Sequence, residues 1–128
     1  MTRHNEELIG FAIAKSKKAL QDAQDCVKDD KLETALNRAY YAIFYSVTAL
    51  AKKYNFSTSK HSALMGWFNK KFIYEDKVFG NKMYQTYEEV FLFRQKSDYD
   101  LMYVPTKQEV EDIIAETGDF VDNVLKII

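Results

Sequence analysis

Apolar residues recur every three or four positions along most of the chain, and the breaks between these runs mark out five helices. The first run spans about Glu6 to Val27. Leu8, Ala12, Ala19, Ala23 and Cys26 fall on one stripe, and Ile9, Ile13 and Leu20 widen it. Asn5 is placed to cap this helix, with Glu6 and Glu7 at the positive end of its dipole. Asp29 and Asp30 interrupt the pattern. Asp30-Lys31-Leu32-Glu33 then reads as an aspartate-led capping box that opens a second helix. Leu32, Leu36, Ala39, Ile43, Val47 and Leu50 form one face of it, while Tyr40, Tyr41, Phe44 and Tyr45 make it aromatic on further sides. A helix apolar nearly all round is buried from several directions or sits at a subunit interface. Tyr54-Asn55-Phe56 ends it.

Ser57, Thr58 and Ser59 offer caps for a third helix over Lys60 to Ile73, whose Leu64, Trp67, Phe68 and Phe72 are assigned to the core. The stretch from Tyr74 to Lys82 is polar, contains Gly80-Asn81, and reads as a loop. A fourth helix follows over Met83 to Gln95, with Phe91 facing the core, and Ser97-Asp98-Tyr99-Asp100 breaks it ahead of the lone Pro105. Thr106-Lys107-Gln108-Glu109 is a full capping box for the last helix, which places Val110, Ile113, Ile114, Thr117, Val121, Val124 and Leu125 on one face. Connections this short predict an all-α fold in a single domain, residues 1–128. The expected architecture is an antiparallel up-down helical bundle of four main helices plus one additional helix. A β-rich chain would need many more turn residues than one proline and four glycines.

Charge and composition narrow the function classes. A net charge of -1 provides no global basic field for long nucleic acid, which leaves local patches as the basis for any anion binding. Cys26 stands alone, so no internal disulfide forms, and a reducing, cytoplasmic location is expected. The polar start, Met1-Thr2-Arg3-His4-Asn5-Glu6-Glu7, reads as the beginning of a helix rather than a secretory leader. No apolar run is long enough to span a membrane. There is no glycine-rich phosphate loop, no Cys-x-x-Cys pair and no Gly-x-Ser-x-Gly elbow. His4 and His61 are the only histidines, and no Glu-x-x-His tetrad occurs, so neither a metal nor a cofactor is expected.

Two constellations remain. The first is Asn37-Arg38-Ala39-Tyr40-Tyr41-Ala42-Ile43-Phe44, where an arginine and an asparagine stand among aromatics and must find partners or reach water. Arg38 either snorkels past a tyrosine to a structural salt bridge or, with Asn37, holds a phosphate or carboxylate with its planar fork. The second is Arg94-Gln95-Lys96-Ser97-Asp98-Tyr99-Asp100 at the expected end of the fourth helix. There the cations either complement the dipole or, with Tyr99 across a turn or subunit boundary, form a site. His61, beside Lys60 and Ser62 at a helix start, is a further candidate anion contact.

Taken in order, Asn37-Arg38-Ala39-Tyr40-Tyr41-Ala42-x-Phe44, Lys60-His61-Ser62, Phe68-Asn69 and Arg94-x-x-Ser97-Asp98-Tyr99-Asp100 resemble the HEPN domain, the higher eukaryote and prokaryote nucleotide-binding family. The resemblance covers most of the chain. It implies a helical bundle that forms homodimers and acts beside a separate minimal nucleotidyltransferase, as the substrate-binding or toxin half of a pair. Many members are metal-independent endoribonucleases whose signature is an arginine, four to six residues, then a histidine. After Arg94 that window ends on Tyr99, Asp100 or Leu101, and none is histidine.

The expected function is therefore a dimeric nucleotide- or RNA-binding protein. Arg94 and Tyr99 would form the reacting pair, and Asn37, Arg38, Tyr40, His61 and Asp98 would bind nucleotide or phosphate. An endoribonuclease toxin with a degenerate site, and a dimerisation module with no ligand, are the alternatives.

Overall fold

The computed structural model describes residues 2–128. Five α-helices follow one another: α1 (Arg3–Lys28), α2 (Leu32–Lys53), α3 (His61–Phe68), α4 (Asn81–Tyr99) and α5 (Lys107–Leu125). No strand occurs among the described residues. The four long helices and the short α3 match the expected bundle, and the differences lie at the helix ends.

At the start of α1, the Thr2 hydroxyl rather than Asn5 supplies the cap, accepting from the Asn5 backbone N–H at 3.1 Å. Asn5 lies inside the first turn, and its amide donates to the Lys52 carbonyl at 3.0 Å, tying the start of α1 to the end of α2. The aspartate-led box before α2 does not form. Asp30 takes a left-handed backbone, with φ at 57°, and its carboxylate pairs with Lys107 at 3.1 Å. Lys31 therefore holds the capping position without a side-chain cap. Before α5 half of the predicted box is made. Thr106 accepts from the Glu109 N–H, while the Glu109 carboxylate receives the Tyr103 hydroxyl instead of returning to the cap.

The third helix begins at His61, and its hydrogen bonding widens to a π-helical stretch over Asn69–Glu75, past the predicted end at Ile73. Helix α4 departs most from expectation. It runs through Ser97 and Asp98 to Tyr99, because Asp98 is one turn from Arg94 and pairs with it on the helix surface. Arg94 therefore stands inside α4, not at its end.

Four contacts fix the helix directions. Asn5 meets Lys52, so α1 and α2 are antiparallel. Asp30 meets Lys107 at one end and Lys53 donates to the Ile127 carbonyl at the other, so α2 and α5 run the same way. Tyr103, just past α4, meets Glu109 in the first turn of α5, so those two helices are antiparallel. The result is an up-down-up-down bundle of α1, α2, α4 and α5 in which α2 and α5 close the short diagonal.

Small residues allow close approach along the α1–α2 seam. Ala12, Ser16, Ala19 and Ala23 of α1 are buried, as are Ala35, Ala39, Ala42, Ser46 and Ala49 of α2, and the Ser16 hydroxyl donates to the Ala42 carbonyl at 2.7 Å. Large side chains fill the other half. Phe68, Phe72, Tyr87 and Phe120 are fully buried and pack ring on ring, while Trp67 and Phe91 cover the edge of the same core half-buried. No helix is long and apolar enough to cross a membrane among the described residues.

Candidate functional site

Three elements bring their polar residues to one place. Helix α2 presents Asn37, Arg38, Tyr40, Tyr41 and Phe44 within two turns. Helix α3 opens with His61 against them, and α4 delivers Arg94 from the other side. Helical spacing accounts for the grouping. Arg38 and Tyr41 are three apart and Tyr40 and Phe44 four apart, so each pair shares a strip of the α2 surface.

Arg94 is the centre of the group. Its guanidinium carbon lies 5.1 Å from the Tyr40 ring centre and 5.4 Å from that of Tyr41. Both rings attract it through their electron-rich faces. Its side chain is 18% exposed, and Asp98 Oδ2 stands 3.1 Å from Nε. The Nε–H is nevertheless buried without an aligned acceptor, so the Asp98 contact is a charge pair rather than a directed hydrogen bond. The two terminal nitrogens of the fork make no hydrogen bond within the described chain and are not sealed from solvent.

Arg38 stacks on the same Tyr41 ring, its guanidinium carbon 5.1 Å from the ring centre. The Asn37 side-chain oxygen accepts from Arg38 Nε at 3.1 Å and from Nη2 at 2.8 Å, fixing the direction of the fork. Arg38 forms no salt bridge among the described residues, because the group that orients it is a neutral amide. Its charge is left uncompensated.

His61 packs on Phe44 with ring centres 4.3 Å apart, and its Nδ1 lies 2.7 Å from the Tyr40 hydroxyl. Burial lowers its pKa, and the positive Arg94 nearby lowers it further. Burial raises the pKa of Tyr40 well above the ordinary tyrosine value; Arg94 opposes that shift, and Tyr41 adds slightly to it. At neutral pH the site therefore holds a neutral imidazole, a protonated phenol and two guanidiniums, with Asp98 as the carboxylate at Arg94. The start of α3 adds backbone N–H groups with no side-chain cap, which raises the local positive potential.

Six of the seven residues singled out from sequence, Asn37, Arg38, Tyr40, His61, Arg94 and Asp98, thus meet in one cluster. Tyr99 does not join them. It is 77% exposed and, five residues beyond Arg94, lies on another face of α4 beside Leu92, Lys96 and Leu101. Sequence reasoning missed Tyr41 as a member of the site, although both arginines stack on it. The signal was its position three residues after Arg38 on a helix. No cluster of three or more metal-ligating side chains exists among the described residues.

Comparison with known proteins identifies the family. The pattern of the HEPN domain family matches residues 10–128, and the chain belongs to that family. A "UPF0332 protein" of Thermotoga maritima is 32% identical over 123 residues, which span 96% of this chain and 92% of that one. Two proteins of Methanocaldococcus jannaschii that carry the name "Putative toxin" are also similar. One is 27% identical over 114 residues, covering 89% of this chain and 77% of its own length. The other is 36% identical over 95 residues, covering 72% and 67%.

Proposed function

We propose that the chain binds a nucleotide or single-stranded RNA through its phosphate groups. In this reading it works in the cytoplasm as a homodimer, as the substrate-binding or toxin component beside a separate minimal nucleotidyltransferase. The observation that carries the reading is the pair of guanidiniums sharing the Tyr41 ring. Among the described residues Arg38 has no carboxylate partner, and the terminal nitrogens of Arg94 are unbonded. Such forks bind phosphate oxygens two at a time. The half-buried Tyr41, Phe44 and Tyr45 on α2, together with exposed Tyr99 and Leu101, supply apolar surface for a second copy.

Fluorescence anisotropy with a short labelled oligoribonucleotide tests this. Micromolar binding that weakens with salt is expected. Arg38→Ala and Arg94→Ala should each weaken it and reduce the salt slope by about 0.7 per lost phosphate contact. No binding at low salt, or binding by both variants equal to that of the parent protein, would overturn the reading.

A second reading rests on His61. The histidine absent from the window after Arg94 is present in space, supplied by α3 and within the electrostatic reach of Arg94. Metal-independent RNA cleavage that persists in EDTA and disappears in His61→Gln would favour this endoribonuclease reading over binding alone.

A further inference from the structure

Tyr40 is fully buried, and among the described residues its hydroxyl has one partner, Nδ1 of His61 at 2.7 Å. A phenol carries a proton that must be donated somewhere. If Nδ1 held its own proton and gave it to the phenol oxygen, the buried O–H would have no acceptor. The arrangement in which every proton has a partner is Tyr40 O–H donating to a bare Nδ1. The imidazole proton then resides on Nε2. That nitrogen makes no hydrogen bond within the described chain and is not among its buried unpartnered atoms, so it faces solvent.

We propose that Tyr40 is a positioning residue that locks His61 in the Nε2–H form, so that the imidazole offers an uncharged donor to a phosphodiester oxygen beside Arg94. The donor role rests on the phosphate-binding reading above; the lock itself does not. The charged and titratable groups nearest His61, in space or along its own segment, agree with it. From α2 these are Tyr40 and Tyr41, the latter carrying Arg38; from α4, Arg94 with its partner Asp98; and on its own segment, the adjacent Lys60. Arg94 sits on the Tyr40 ring that also stacks on His61, so a positive charge already lies close to the imidazole and a further one on it is opposed. A second proton would also occupy Nδ1 and strand the Tyr40 hydroxyl. The site thus gains a directional N–H without gaining a third strong cation, which suits a singly charged diester rather than a dense polyphosphate.

Nitrogen-15 NMR of the full-length protein tests the lock directly. His61→Gln assigns the signals, since His4 is the only other histidine. At neutral pH, His61 should show an unprotonated Nδ1 and a protonated Nε2, and Tyr40→Phe should relax it to a mixture of forms. A protonated Nδ1 in the parent protein, or an unchanged preference in Tyr40→Phe, would overturn the proposal. Should that variant fail to fold, the parent protein still decides. The Tyr40 hydroxyl proton should exchange slowly and couple to Nδ1, and a freely exchanging proton would count against the lock.

Binding tests the donor role separately. The probe is an oligoribonucleotide with no terminal phosphate, which does not itself titrate near neutrality. Its affinity should stay flat from about pH 6 to 8, the range in which an ordinary histidine gains its charge. A severalfold rise toward the acid end would show a cationic His61 and sink the proposal. Failure of the probe to bind at any pH would remove the phosphate-binding reading and the donor role with it, while the spectra of the free protein would still decide the lock.

Discussion

The guanidinium of Arg94 rests over the ring of Tyr40, 5.1 Å from its centre, with its forked end unbonded among the described residues. The ring contact is structural and the fork is free, so the two can be separated by mutation. Stacking of a partly desolvated cation on aromatic rings is worth about 0.5–2 kcal/mol, and a charged hydrogen bond to phosphate about 1.5–3 kcal/mol. Arg94→Ala should therefore lower the melting temperature by a few degrees and weaken oligoribonucleotide binding about tenfold or more. Arg94→Lys should lose most of the binding while keeping more of the stability, because an ammonium cannot present two parallel donors. Calorimetry and anisotropy on the same samples check both. Collapse of the fold in Arg94→Ala would mark the residue as structural alone.

Asp98 competes with any phosphate for Arg94. Its carboxylate stands 3.1 Å from Nε, and the Asp98 side chain is about one-third exposed. Such half-exposed pairs contribute about 0.2–1 kcal/mol. Asp98→Asn should accordingly tighten oligoribonucleotide binding roughly two- to fivefold, and barely move the melting temperature. Weaker binding in that variant would mean that Asp98 positions Arg94 for the ligand rather than opposing it.

Tyr87 carries a hydroxyl that is buried among Phe68 and Phe120 without a hydrogen-bond partner among the described residues. An unpaired buried hydroxyl costs about 1–3 kcal/mol of desolvation. Tyr87→Phe removes it with the ring left in place, so thermal unfolding should occur a few degrees higher. A marked loss of stability would reveal a partner for the hydroxyl inside the core.

Glu89 and Glu116 bring two carboxylates together between α4 and α5. Burial raises the Glu89 pKa and the negative Glu116 raises it further, with Lys82 opposing both. An acid whose folded pKa is raised favours the folded state at low pH. That advantage is complete below the unfolded carboxylate pKa and is lost as pH rises through the folded value. Glu89→Gln should therefore stabilise the protein at pH 7, and the difference should vanish well below about pH 4, where the unfolded carboxylate is protonated too. Chemical denaturation at several pH values measures this. A difference that grows toward acid would have the wrong sign and refute it.

Much of the architecture could be read from periodicity alone, because α1 and α5 each carry one clear apolar stripe and α2 is apolar nearly all round. The end of α4 could not. Ser97-Asp98-Tyr99-Asp100 has the composition of a break, but an acidic residue one turn after an arginine is also a good helix neighbour, and the bundle lets the second property win. The π-helical turn after Phe68 left no composition signal either, since Phe72 and Ile73 fit an α-helical stripe equally well. Arg38, His61 and Arg94 are separated by 22 and 32 residues in sequence and were joined only by analogy. Their meeting depends on how α3 and α4 fold back on α2, which no local pattern encodes. Tyr41 was hidden by its ordinary appearance as one more aromatic on an aromatic helix.

The short diagonal of the bundle bears on how tightly the site can bind. Helix α2, which carries five of the clustered side chains, is held by α1, α4 and α5 at once. Asn37 and Tyr40 hold the side chains of Arg38 and His61 in place in the ligand-free chain. Ordering a long side chain costs about 0.5–1.5 kcal/mol when binding must do it. Here folding has already done most of it, so on the proposed phosphate-binding reading a modest number of contacts would yield useful affinity, with little rearrangement between free and bound states.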